Sequence, residues 1–162
     1  MTQDIQNFIE YLHREKQTSK NTEVSYARDL RKMSGYLEEH GIREVGAVTS
    51  TNLNSYVLYL EKEGRKPATI SRSIASMKAF FHYLEKERRV SGDPAEYLKA
   101  PRIEKKLPRV LSTEEVTCLL EQPSGNTPKE LRDKAMLELL YATGIRVSEL
   151  ISLKVTDLNL QM

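Results

Sequence analysis

Apolar side chains recur every three or four positions through the first hundred residues, and this period constrains the fold more than any other feature of the chain. Such a spacing places the side chains on one face of a helix. The four predicted helices lie at about 2–16, 19–41, 49–64 and 67–84. A short fifth helix is predicted from Asp93-Pro94 to Leu98. No segment alternates apolar and polar residues as a strand requires, so we expect residues 1–100 to form an all-α bundle of four to five helices.

A proline-containing segment follows the bundle. Residues 101–110 hold two prolines, show no helical period and carry more basic than acidic side chains, which predicts a basic, semi-extended linker. A second domain opens at Ser112, which forms with Glu115 the sequence pattern of a capping box. Further helices are predicted at 129–143 and 146–153, before a turn or extended segment at 156–160.

Charge and cysteine content narrow the possible classes of protein. The formal net charge is only +2, but it is uneven along the chain. Residues 1–100 and the linker are each net basic, the linker most strongly for its length, and residues 110–162 are net acidic. One cysteine and three separated histidines offer no usual zinc-binding spacing, and we expect Cys118 to be buried on the inner face of its helix. The sequence shows neither the order of a signal peptide nor an uninterrupted apolar span, so a cytoplasmic location is expected.

A single arginine lies where the last two predicted helices meet. An apolar helix runs into Thr143-Gly144, and Arg146 then opens another amphipathic turn. Gly144 suits the left-handed conformation that ends many helices. An arginine between apolar neighbours at such a corner is expected to be fixed in direction and partly dry, as a phosphate-binding fork requires. The alternative is a structural arginine that bridges two helix ends.

The fourth predicted helix has a second face that combines small side chains with two cations. Small side chains let a helix approach a DNA groove closely, while the cations reach phosphates or base edges. The members of this face are Ser71, Arg72, Ala75, Ser76, Lys78 and Ala79. Helix N-termini favour phosphates, and the start of the second helix offers Lys20, Asn21, Thr22, Ser25 and Arg28. The alternative for both sets is a solvated surface without a ligand.

Five motifs in order resemble one family over the whole chain. The segment 142–150 reads A-T-G-I-R-V-S-E-L, and it resembles the first catalytic-arginine box of Xer-type tyrosine recombinases. The other matching segments are S-x-N-T-x-x-x-Y-x-x-D-L at 19–30, T-x-x-R-x-x-x-x-x-K-x-F-F-x-Y-L at 69–84, the linker with L-P-R-V-L-S at 107–112, and L-R-D-K-A-M-L-E-L-L-Y at 131–141. The resemblance implies a SAM-like core-binding domain at 1–100, a linker at 101–110 and the first helices of an α+β catalytic domain at 111–162.

The resemblance also implies a chemistry. Family members cut DNA with a tyrosine hydroxyl, which leaves a 3′-phosphotyrosine, and they need no metal or other cofactor because the ester keeps the bond energy. Arg146 matches the first catalytic arginine, and Glu149 one turn later is expected to support it. The partner is double-stranded DNA, which the family contacts with its second and fourth helices and encloses with linker cations, here Lys105, Lys106 and Arg109. Family members act as tetramers on paired sites.

The family's remaining catalytic groups are a strand lysine, a His-x-x-Arg pair, a further His or Trp and the nucleophilic tyrosine. No His-x-x-Arg follows Arg146 in the sequence (the one such spacing, His40 to Arg43, precedes it), and none of the eight tyrosines matches the nucleophile motif. We therefore expect a fragment that binds DNA but does not cleave it alone, with the activity in a longer parent. The alternatives are a stand-alone DNA-binding or regulatory module and a helical interaction domain without a nucleic-acid role. Chromosome-dimer resolution, phage integration and transposon movement are not distinguished by these motifs.

Overall fold

The computed structural model describes residues 1–103, 107–108 and 110–157 and divides the chain into two compact units, Met1–Lys105 and Lys106–Met162. Both units are helical, and no strand occurs in the described ranges. The helices are α1 (Thr2–Arg14), α2 (Lys20–Glu39), α3 (Ser50–Lys62), α4 (Pro67–Lys86), α5 (Thr113–Glu121), α6 (Pro128–Thr143) and α7 (Val147–Leu150). Short 3-10 turns lie at Val45–Ala47 and Val155–Asp157. The predicted all-α fold class is confirmed.

The helices of the first unit begin where local chemistry satisfies their free backbone N–H groups. The side chain of Ser19 accepts a hydrogen bond from the N–H of Thr22 at the start of α2. Thr49 and Asn52 form a reciprocal capping box at the start of α3. Pro67 occupies the first turn of α4, where its fixed φ is compatible with the helix and the missing N–H costs nothing. These starts agree with the sequence prediction because capping depends on neighbouring residues alone.

A single hydrophobic core holds the first unit together. Helices α2 and α4 each contact the other three helices, so they form the centre of the bundle. Phe8 of α1 meets Phe80 of α4 edge to face, with ring centroids 5.5 Å apart. The buried apolar side chains of α2 and α4 are Ala27, Leu30, Met33, Leu37, Ile70, Ile74, Met77, Phe80, Phe81 and Leu84. Full burial of such a side chain contributes about 1.5–3 kcal/mol, so α2 and α4 are held in a fixed relation.

The predicted fifth helix of the first unit is wrong. Residues 94–97 form a hydrogen-bonded turn instead, and Oδ1 of Asp93 accepts the N–H of Ala95 at 2.7 Å. Ala95 and Leu98 are the buried side chains of this segment, and a single turn is sufficient to bring both into the core. Two apolar residues leave no stripe that would stabilise a longer helix.

The second unit has well-formed helix ends but little burial. Ser112 and Glu115 form the predicted capping box of α5, and Thr127 caps α6 ahead of Pro128. Among its described residues only Leu150 is buried. Cys118 is exposed, so its predicted burial is wrong, because no side chain of α5 is buried in this structure. Within the described part of the chain, no helix is both long enough and apolar enough to cross a membrane.

Candidate nucleic-acid interface and phosphate-binding arginine

Arg146 lies at a sharp junction between α6 and α7. Gly144 ends α6 with φ 65°, in the left-handed region, and its N–H donates to the carbonyl of Leu140 at 2.9 Å. A residue with a Cβ is strained in that conformation, which explains glycine at this position. Arg146 then adopts an extended backbone as the residue that precedes α7, so the predicted helix at 146–153 begins one residue later and ends at Leu150.

Glu149 holds both the backbone and the side chain of Arg146. Its Oε2 accepts the N–H of Arg146 at 2.8 Å, and its Oε1 accepts from Nη1 at 3.0 Å. The first bond satisfies an N–H group that the helix leaves free, and the second sets the direction of the guanidinium. The expected proximity of these two residues is therefore present, whereas a catalytic role for either stays a prediction.

The exposure of Arg146 differs from the sequence prediction. Its side chain is 82% exposed, so the expectation of a partly dry arginine is wrong for this structure. The apolar neighbours Val147 and Ile151 are themselves exposed and cannot cover the guanidinium. One of five N–H donors is occupied by Glu149, and the remaining donors face solvent, where an anion could reach them.

The predicted polar set at the start of α2 lies at the surface of the first unit. Lys20, Asn21 and Arg28 are exposed, and Thr22 and Ser25 are half-buried. The connection before this set is fixed by Glu23, whose Oε1 accepts from Thr18 at 3.4 Å and lies 3.1 Å from Nδ1 of His13. These contacts fix the start of α2, and the exposed side chains of Lys20 and Arg28 can contact a polyanion there.

The predicted face of α4 is only partly exposed. Ser71, Arg72 and Lys78 are half-buried, and Nζ of Lys78 donates to the carbonyl of Glu96 at 2.9 Å. Ser76 is fully buried and its hydroxyl donates to the carbonyl of Ser73, so its predicted place on a DNA-facing surface is wrong. The buried stripe of α4 is wider than the sequence pattern indicates, because α4 packs against all three other helices of the first unit.

Asp29, a residue of the motif at 19–30, pairs with the predicted DNA contact Arg72. Asp29 of α2 accepts two hydrogen bonds from Arg72 of α4, at 2.8 Å from Nε and 3.1 Å from Nη2. The hydrogen bond to Asp29 raises the pKa of Arg72 further above its ordinary value, and the charge of the carboxylate adds to this effect. A carboxylate beside the core residue Leu30 was the available signal, since a buried charge requires a partner.

Two further groups of residues complete the survey of candidate sites: the predicted linker cations and one cluster of potential metal ligands. Lys105, Lys106 and Arg109 lie outside the described residues. Among the residues that are described, His82, Glu85 and Asp93 bring potential metal-ligating atoms within 4.8 Å of one another. His82 and Glu85 are exposed, and one oxygen of Asp93 already accepts from Ala95, so solvation and capping account for these groups without an ion.

Two family models match consecutive parts of the chain. The model described as "Phage integrase, N-terminal SAM-like domain" matches residues 5–88. The model described as "Phage integrase family" matches residues 109–162. The first match covers the four-helix bundle of the first unit, and the second includes the Arg146 corner.

Individual relatives agree with these matches. The TTE1313 protein of Caldanaerobacter subterraneus, which is named as a tyrosine recombinase, is 46% identical over 156 residues, which cover 96% of this chain and 53% of the relative. Tyrosine recombinase XerD of Halalkalibacterium halodurans is 39% identical, over 98% of this chain and 54% of the relative. Tyrosine recombinase XerC of Roseiflexus sp. is 38% identical, over 99% of this chain and 51% of the relative. The chain spans about half the length of the curated relatives it matches.

A solved structure shares the fold. The Tn1549 transposon integrase, residues 82–397, in complex with circular intermediate DNA, is similar with a TM-score of 0.68 at 20% sequence identity. The similarity covers 98% of this chain and 51% of that one. At this identity the likeness shows the fold alone.

Proposed function

The chain belongs to the phage integrase family of tyrosine recombinases, and from this premise we propose that it binds double-stranded DNA and supplies one catalytic arginine for strand cleavage and rejoining. In this proposal the first unit holds the duplex through α2 and α4. Arg146 of the second unit contacts the scissile phosphate, and Glu149 supports it. The complete reaction, through a 3′-phosphotyrosine, would belong to a protein that also carries the other catalytic groups.

The proposed catalytic role of Arg146 rests on one observation: its guanidinium is anchored by Glu149 but exposed. Phosphoryl transfer builds negative charge on the non-bridging oxygens, and preorganised donors aimed at them lower the barrier. Glu149 fixes the arginine through its backbone and one Nη1 bond, while other donors of the fork stay free. Neither a metal nor a nucleotide is needed in such a reaction when the tyrosine ester conserves the bond energy.

The DNA-binding half is supported by the cations of the first unit. Lys20 and Arg28 are exposed near the start of α2, and Arg72 keeps free donors at the surface of α4. The similar transposon integrase was solved with DNA, which supports the same ligand for this chain. Work on chromosomal or mobile DNA would place the protein in the cytoplasm, and a tetramer on paired sites would follow the habit of the family.

A salt series on duplex binding tests this proposal. We expect the 162-residue chain to bind a fluorescein-labelled, mixed-sequence duplex with a Kd of about 10⁻⁴–10⁻⁶ M, because the target sequence is unknown and the contacts are to phosphates. Fluorescence anisotropy should show log K falling linearly with log salt. Binding that is absent at low salt, or insensitive to salt, would refute the DNA-binding half and favour an interaction domain.

Arg146→Ala separates the two halves of the proposal. In this chain the variant should leave duplex binding nearly unchanged. In a longer protein that carries the chain with the remaining catalytic groups, the same variant should abolish the phosphotyrosine adduct, which is measured with a nicked substrate on a denaturing gel. Cleavage at the parental rate would show that Arg146 takes no part in the mechanism. The 162-residue chain would then contribute DNA binding alone to the longer protein.

A further inference from the structure

A bidentate ion pair joins the two central helices of the first unit. Nε and Nη2 of Arg72 donate to the two carboxylate oxygens of Asp29, at 2.8 and 3.1 Å, across 43 residues of sequence. The Asp29 side chain is 5% exposed, whereas the Arg72 side chain is 39% exposed. The carboxylate therefore faces the interior, and the guanidinium reaches from it to the surface.

Stability alone is a weak explanation for this pair. Removing two charges from water offsets much of their mutual attraction, so apolar residues of similar volume often hold two helices together equally well. Helices α2 and α4 already share the apolar core through residues such as Leu30 and Met77. What the ion pair adds, and apolar contacts cannot, is a fixed direction for a planar group.

The pair leaves part of the guanidinium available. Arginine has five N–H donors, and Asp29 accepts two of them. The remaining donors lie on Nη1 and Nη2 and form a second fork in the same plane. Since Asp29 is buried and α2 is packed against α4, this second fork has one orientation rather than many. The neighbouring Ser71 and Ala75 are small, so they would not prevent a ligand from approaching the fork.

We propose that Asp29 is a positioning residue for DNA recognition: it fixes Arg72 so that the free fork meets paired acceptor atoms of the duplex. This inference rests on the proposed function. Two sets of acceptors on DNA match such a fork, namely phosphate oxygens and the O6 and N7 atoms of guanine in the major groove. Both are recognised through the same parallel donors.

A positioning role for Asp29 predicts a change in DNA affinity opposite to the one that charge alone predicts. Asp29 is an acid near a surface that contacts phosphates, so its removal should tighten DNA binding if only net charge matters. If Asp29 positions Arg72, its removal should weaken binding although the chain becomes more positive. Asp29→Asn changes the charge with little change in volume, and its amide nitrogen cannot accept a hydrogen bond from the fork.

The experiment is duplex binding by the full 162-residue chain, measured by anisotropy over a salt series. We expect Asp29→Asn and Arg72→Lys each to weaken binding about fivefold or more, because in both variants the bidentate contact between Arg72 and the duplex is lost. Glu39→Gln removes the same charge at the exposed far end of α2, and it should bind as well as the parent or slightly better. Circular dichroism and urea denaturation establish that each variant is folded at the assay temperature.

A double-mutant cycle isolates positioning from a general structural effect. In an Arg72→Ala background, Asp29→Asn should not weaken DNA binding further, and Asp29→Glu in the parent should restore part of the binding that Asn loses. If Arg72 contacts a phosphate, losing it should lower the salt slope by about 1. If it contacts guanine, the slope should stay and discrimination among duplexes of different sequence should relax.

The outcomes distinguish this inference from the proposed function. A parent chain without salt-dependent binding would overturn both. A parent that binds, with Asp29→Asn equal to it or tighter, would overturn the positioning role alone. Weakening by Asp29→Asn of the same size with and without Arg72 would also overturn it, because Asp29 would then act through the fold and not through the arginine.

Discussion

The two units of the molecule follow the same local rules but differ in burial. In the first unit, α1–α4 enclose a continuous core in which Leu30, Met33 and Phe80 have no exposed surface. In the second, capped helices of similar quality present exposed apolar side chains, and Leu150 alone is buried among the described residues. Capping and periodicity therefore determine where a helix forms, whereas burial depends on which other elements pack against its apolar face.

The difference has a functional counterpart. The first unit presents cations on helices that its own core fixes, such as Arg72 above the buried Asp29. The second presents Arg146 from a short junction whose geometry depends on one glycine and one glutamate. Recognition by the first unit should therefore resist small changes at the surface, while the Arg146 corner should be sensitive to them.

The largest expected effect compares two leucines. Leu30 is fully buried in α2, and Leu131 is 56% exposed in α6. Leu30→Ala should lower the free energy of unfolding by about 2–5 kcal/mol, because it leaves a cavity in a packed core. Leu131→Ala should change it by no more than about 0.5 kcal/mol. Urea denaturation followed by circular dichroism measures both, and similar losses for the two variants would contradict the contrast between the units.

An intermediate effect concerns pH. Burial of Tyr56 in the first unit raises the pKa of its hydroxyl from 10.0 to about 12. The folded chain keeps a proton that the unfolded chain loses near pH 10, so stability is unaffected below about pH 9 and falls as the pH rises toward 12. Between pH 9 and pH 11 this tyrosine should lower the free energy of unfolding by roughly 1 kcal/mol. Tyr56→Phe should lose that much less stability over the same interval, and equal losses would show that the ring is not buried.

The smallest effect has opposite signs in the two units. Gly144 has φ 65°, so Gly144→Ala should destabilise the Arg146 corner by about 1 kcal/mol and speed amide exchange there about fivefold. Gly35 lies within α2 with open space around it, so Gly35→Ala should stabilise the first unit by about 0.5–1 kcal/mol. Hydrogen exchange read by mass spectrometry measures both changes, and the same sign at both positions would be inconsistent with the structure.

The features that sequence predicted well are those set by neighbouring residues. The starts of α2, α3, α4 and α5 follow from caps and prolines, and the apolar stripe around Leu30 or Ile74 identifies the core face. The junction at Gly144 was predictable for the same reason, since a left-handed residue ends α6 in a way that only the local backbone decides.

The features that sequence did not predict depend on distant partners. The pairing of Asp29 with Arg72 spans 43 residues, and neither residue alone indicates it. The sequence pattern of α4 shows one apolar stripe and places Ser76 outside it, whereas α4 contacts three helices and buries more of its surface. The sequence pattern overstates the burial of Cys118 and Arg146 for the opposite reason, because the apolar residues beside them are not covered by other helices.

The carboxylate beside Arg146 has a consequence for how a ligand would arrive. A bare guanidinium attracts any passing anion, but one already paired with Glu149 at 3.0 Å has part of its charge neutralised, so a second anion at its free donors gains less free energy. A phosphodiester would therefore add at the free donors beside Glu149, and this corner alone would hold it weakly. If DNA is the ligand, occupancy at this corner depends on the many other contacts that hold the duplex in place, and small phosphates free in the cell are poor competitors for it.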